Sequence, residues 1–245
     1  MILILKWHAE IVLLKGKMEE VQLPVDTVDI IISEWMGYFL LYESMLDTVL
    51  YARDRYLVRG GLIFPDRATM LLVGIEDAEY KEQKINFWDD VYGFTMNAIK
   101  EVALKEPLVD VVDGESVATT PAVFKEIDIN TVTKADLAFM SEFSMTVTRS
   151  DHIHALLGYF DITFSACHKP VFFSTGPADR YTHWKQTVFY LKNDLIATAG
   201  DVIKGKLSCK PNARNPRDLD ISIDYVHVNS QDQAVSADKL DFLMC

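Results

Sequence analysis

The chain has 245 residues, 49% of them hydrophobic, and carries 24 basic against 36 acidic side chains, a net charge of −12 at pH 7. That length and apolar content suffice for a substantial core in one large or two modest domains and exclude a disordered chain. The acidic balance disfavours nucleic acid and anionic membrane as partners and favours basic, arginine-rich ones, although a merely solubilising surface would carry the same charge.

The chain opens on an apolar run, Met1 to Leu5, broken by Lys6, His8 and Glu10. It matches neither a signal peptide nor a membrane span, which places the chain in the cytoplasm or nucleus. The scattered Cys167, Cys209 and Cys245 lack the spacing of a zinc site and read as free thiols, so no metal is assigned. Residues 11–14 form a short strand candidate ending at Lys15-Gly16-Lys17. Residues 28–32, rich in isoleucine, read as a buried strand of a parallel sheet. From 42 to 59 the apolar positions Met45, Leu46, Val49, Leu50, Tyr56 and Leu57 recur at helical spacing, with Gly60-Gly61 as the stop. Strand, loop, strand, helix is the back end of a doubly wound sheet, yet no glycine-rich GxGxxG turn occurs anywhere.

Between that strand and helix lie Glu34 and Glu43, with Gly37 allowing a sharp turn between them. Two carboxylates on such a turn can converge on one cation outside the carboxyl end of a strand, and a planar guanidinium suits them best. The plainer alternative is two solvated glutamates, with Glu43 favourable to the helix dipole. The intervening Trp, Met, Tyr, Phe and Leu argue against it, because they make an apolar rim where charge is poorly screened.

Pro65-Asp66 marks a change to strand-rich sequence. Residues 68–75 read as a strand and 76–100 as polar and helical. Strands follow at 108–112, 122–129, 143–148, 152–164, 171–174, 185–191, 202–209 and 219–226, the last alternating strictly from Asp218 to Asp224. Such a set suggests a closed or nearly closed β-barrel. Residues 230–238 read as a loop before Leu240 to Leu243. His8, His152, His154, His168 and His227 read as surface histidines, and His183 and Trp184 lie in a turn before a strong strand.

SEWMGYFLLYE, residues 33–43, resembles the double-glutamate loop of protein arginine N-methyltransferases. Tyr181-Thr182-His183-Trp184 resembles their threonine-histidine-tryptophan loop, in the expected order. KGKMEEVQLPVDTVDIIISEWMGY, FWDDVYGF, KEPLVDVVD, YTHWKQTVFYL and KPNARNPRDLD extend the likeness from about residue 11 to the C-terminus, nearest to the predominant type I enzymes, which make asymmetric dimethylarginine.

The resemblance implies an α/β plus all-β fold. Residues 1–66 would be the C-terminal part of a Rossmann-like methyltransferase domain whose glycine-rich turn lies before the start of this sequence. Residues 67–245 would form an antiparallel β-barrel with a helical arm at about 77–106, through which homodimers form. It implies S-adenosylmethionine as cofactor, beside Met18 and Glu19, and arginine-rich proteins as substrates. Glu34, Glu43 and His183 would be catalytic, and Tyr38, Met45 and Trp184 would bind the substrate. Two other readings stay open: a catalytically incomplete relative acting as a dimerisation or peptide-binding partner, and an unrelated acidic barrel that binds basic peptides.

Overall fold

The computed structural model describes residues 11–245, so the opening run and His8 lie outside the described residues. The first strand, β1 (Val28–Ile32), pairs in parallel with β2 (Leu57–Phe64) through the helix α1 (Met45–Tyr56). This is a βαβ unit, the crossover that parallel strands require. Helix α1 buries Leu46, Val49, Leu50 and Tyr56, the helical stripe predicted from spacing.

Four expectations fail in and around this unit. Residues 11–14 form no strand: Ile11 and Leu13 are exposed and have no ladder partner among the described residues. Strand β1 is not buried, with Ile30 50% and Ile32 78% exposed, because β2 is its only described neighbour. Helix α1 ends at Tyr56, where Leu57 turns extended, and Gly60-Gly61 lies inside β2 rather than stopping a helix. Between paired positions β2 advances from Leu57 to Leu62 while β1 advances only from Val28 to Ile30, a bulge that Gly60, at φ 79°, accommodates. Of the six apolar positions predicted for the helical face, Met45 is 44% exposed and Leu57 belongs to β2.

After a cis Phe64–Pro65 bond the chain builds two antiparallel sheets. Strand β3 (Arg67–Ile75) leads into the helices α2 (Ala78–Lys84) and α3 (Asn97–Ala103), joined by a 3₁₀ turn at Asn86–Asp89. Then come β4 (Leu108–Asp110), β5 (Ala122–Asp128), β6 (Phe139–Thr146), β7 (Asp151–Phe164), β8 (Val171–Ser174), β9 (Gln186–Ala197), β10 (Val202–Pro211), β11 (Leu219–Val228) and β12 (Ala234–Met244). One sheet has the order β4-β9-β7-β3-β5, with β8 on β7; the other is β12-β11-β10-β6. The two sheets share a large core, with a second cluster around Val73, Ile75, Leu157 and Tyr190, and among the described residues no ladder runs continuously around them, so the expected closed or nearly closed barrel is not fully closed.

Central strands are buried on both faces: β3 buries the apolar run Met70 to Ile75, and β7 buries Ile153 to Leu157, a run that includes His154. Strand β11 buries Leu219, Ile221, Ile223 and Tyr225 on one face, as the alternation requires. The loop expected at 230–238 is shorter. Asn229 Oδ1 accepts the N–H groups of Gln231 and Gln233 to close a tight turn, and β12 begins at Ala234.

Candidate active site

The loop between β1 and α1 is nailed into the core by its apolar residues, leaving its acids outside. Trp35, Met36, Phe39, Leu40 and Leu41 are all buried in the same cluster as the strands of both sheets. Phe39 packs edge-on against Phe189 at 5.2 Å and stacks on Phe124 at 6.0 Å between ring centroids. A Cβ on Gly158 would lie 2.5 Å from the Phe39 ring, so glycine there opens the seat for it.

Within the loop, Gly37 N–H donates to Leu40 O at 2.9 Å, and Tyr42 N–H donates to Tyr38 O at 3.1 Å. The backbone reverses through left-handed Phe39 (φ 48°), Leu40 (63°), Glu43 (75°) and Ser44 (57°). Gly37 allows the sharp turn expected of it through close approach: a Cβ there would sit 2.0 Å from the Tyr42 carbonyl oxygen. Four non-glycine residues in that region are costly and persist only where surrounding contacts impose them. Those contacts are visible. Trp184 Nε1 donates to Met36 O at 2.8 Å, Glu43 N–H donates to Arg217 O at 2.8 Å, and the Ser44 hydroxyl donates to Pro216 O.

Beside this loop opens a cleft of about 840 Å³ lined by Met18, Glu19, Glu43, Met45, Thr48 and Arg217, among others. It brings together four of the residues singled out in the sequence: Met18, Glu19, Glu43 and Met45. Glu19 Oε1 accepts the Thr48 hydroxyl at 2.8 Å, which holds its carboxyl below the usual carboxylate range and leaves Oε2 free to accept. Glu43 Oε1 accepts from Arg217 Nη2 at 2.9 Å.

The remaining predicted residues do not line the cleft. Glu34 is exposed just beyond the C-terminal end of β1 and makes no ion pair among the described residues. Tyr38 is partly exposed and stacks on Tyr42 at 6.4 Å. His183 is exposed, its ring 3.9 Å from that of Trp184, and Trp184 stacks on Phe173 at 5.6 Å. Through its bond to Met36 O, Trp184 ties the His183 turn to the double-glutamate loop.

Three readings need correction. The glutamates are not poorly screened: Glu43 is 53% exposed and Glu34 is exposed, because the apolar residues between them turn inward and leave the acids to water. His154 and His227 are buried rather than surface residues: Asp77 N–H donates to His154 Nδ1 at 3.0 Å, and His227 Nε2 lies 2.9 Å from Asp201. His152, His154 and Asp194 approach within 4.8 Å, but Lys81 Nζ already meets Asp194 at 2.5 Å, so the local negative charge has its cation.

Thr48 and Arg217 were missed. Thr48 follows Met45 by three positions on the same helical face, a spacing that could have found it. Arg217 lies 174 positions from Glu43, and no local pattern connects them.

Residues 66–231 match a family model described as the arginine methyltransferase oligomerization subdomain. The chain is 58% identical over 241 residues to protein arginine N-methyltransferase 1 of Schizosaccharomyces pombe, covering 98% of this chain and 71% of that protein. It is 58% identical over 220 residues to protein arginine N-methyltransferase 1 of Chlamydomonas reinhardtii, covering 90% and 64%. Across five such curated relatives the chain spans 55% to 71% of their length. Among solved structures, the Trypanosoma brucei PRMT1 enzyme–prozyme heterotetrameric complex with AdoHcy superposes with a TM-score of 0.89 at 45% identity, over 94% of this chain and 72% of that one. Arabidopsis thaliana protein arginine methyltransferase 10, at 24% identity and a TM-score of 0.82, shares the fold.

Proposed function

Because the chain belongs to the protein arginine N-methyltransferase family, we propose that it transfers a methyl group from S-adenosylmethionine to a guanidino nitrogen of protein arginine, as a type I enzyme giving monomethyl and asymmetric dimethylarginine. One observation carries the reading: Glu43, at the edge of the cleft, already holds a guanidinium, that of Arg217, at 2.9 Å. The boundary at Pro65-Asp66 would separate the part that holds the cofactor from the part that presents the substrate, and the arm at 77–106 would pair two copies.

The cleft fits the cofactor's adenine end. Glu19 Oε2 is open to an exocyclic amine, and Met18 offers a thioether face beside it. When bound, S-adenosylmethionine supplies an electrophilic sulfonium methyl. The chain's own task is to present a nucleophile, and that is difficult, because a guanidinium stays protonated far above neutral pH and would cost roughly 9 kcal/mol to deprotonate beforehand at pH 7.

Glu34 and Glu43 would instead grip its N–H groups, draw positive charge toward the nitrogens they touch, and leave lone-pair character on the nitrogen that faces the methyl. The departing proton would pass to one of these carboxylates during or after transfer. Tyr38 and Met45 would wall the substrate, and His183 and Trp184 would hold the geometry of the loop.

The test is to incubate the chain with methyl-labelled S-adenosylmethionine and a glycine-flanked arginine peptide, alongside the same peptide bearing lysine. Label on arginine, as monomethyl and asymmetric dimethyl products by mass spectrometry, is the expected result. Absence of label on arginine overturns the assignment.

A further inference from the structure

The carboxylate that this reading reserves for an incoming arginine is engaged by an arginine of the same chain. Arg217 sits in the 212–218 turn between β10 and β11, and that turn is ordered by its own side chains. Asn212 Oδ1 accepts the N–H groups of Arg214 and Asn215 at 2.8 and 3.2 Å, and Asn215 Oδ1 accepts that of Arg217 at 3.3 Å. The turn is also fastened to the double-glutamate loop through its backbone, where Arg217 O takes the Glu43 N–H and Pro216 O takes the Ser44 hydroxyl. The Arg217 guanidinium is therefore tethered beside Glu43 whether or not the two side chains touch, at an effective concentration set by the tether.

The contact itself is slight. A single nitrogen, Nη2, meets a single oxygen, Oε1, and the pair is 65% and 53% exposed. A one-point pair in water contributes little and is readily exchanged, whereas a guanidinium that engages both carboxylate oxygens gains a second charge-assisted hydrogen bond. We propose that Arg217 is an intramolecular competitor for the substrate guanidinium at Glu43. Substrate arginine binds by exchange, pushing the Arg217 side chain off the carboxylate, and Arg217 returns when the product leaves. The inference rests on the reading of Glu43 as a substrate ligand and adds a residue that weakens substrate affinity.

The experiment measures binding of a fluorescent glycine-flanked arginine peptide to the full chain by anisotropy, for the wild type, Arg217→Ala, Arg217→Gln, Glu43→Gln and the Glu43→Gln/Arg217→Ala double variant. Removing the competitor should tighten binding about 2- to 5-fold, the range that an exposed pair can supply. The gain should vanish in the Glu43→Gln background. Loss of a merely structural contact would weaken binding instead. Arg217→Gln keeps the side-chain stem and backbone bonds and decides the matter if Arg217→Ala fails to fold. Unchanged or weaker binding by the folded variant, or a gain that persists without Glu43, overturns the proposal. Failure of the underlying reading looks different: Glu43→Gln would then bind the peptide as the wild type does.

Discussion

Gly37 decides the shape of the loop at the scale of one atom. A Cβ at this position would lie 2.0 Å from the Tyr42 backbone oxygen, and a backbone atom cannot swing aside as a side-chain tip can. Gly37→Ala should cost about 2 kcal/mol, in the range of forced overpacking, read as a lower urea midpoint; an unchanged midpoint would contradict this account. The sequence showed this glycine, its two glutamates and the sharp turn it permits, but not the unusual dihedrals beside it. Phe39, Leu40, Glu43 and Ser44 carry them, because burial of Phe39 and Leu40 and the hydrogen bonds from Glu43 and Ser44 to the 212–218 turn impose that backbone. Such constraints come from partners distant in sequence, so no local pattern announces them.

At the scale of elements, the arm is short and pinned at its base. Lys81, buried on α2, donates to Leu191 O at 2.7 Å and Asp194 Oδ1 at 2.5 Å, fixing the helix to β9. Lys100 on α3 bridges to Asp89 at 2.6 Å. Beyond these fastenings Tyr92 is 95% and Phe94 70% exposed, large apolar groups left uncovered by the described residues. Replacing both by serine should shift the chain to a smaller species in sedimentation equilibrium without lowering its thermal midpoint; an unchanged mass would remove the arm from assembly. Strands of strict alternation or continuous apolar sequence were legible, as β11 and β3 illustrate. The bulged β2 and the early start of β12 were not, since glycines and polar residues there suggested turns while cross-strand pairing with β1 and β11 determined the outcome.

Across the whole molecule, the site lies where separate parts of the chain converge: the loop after β1, the first turns of α1, the Trp184 turn before β9 and the Arg217 turn after β10. The net charge of −12 would favour the approach of the basic substrates proposed above. The most direct measurement compares methyl transfer and S-adenosylmethionine affinity in Glu34→Gln and Glu43→Gln. The account predicts turnover lower by orders of magnitude in each variant, with cofactor affinity nearly unchanged. A parallel loss of cofactor binding, or turnover close to that of the wild type, would contradict it.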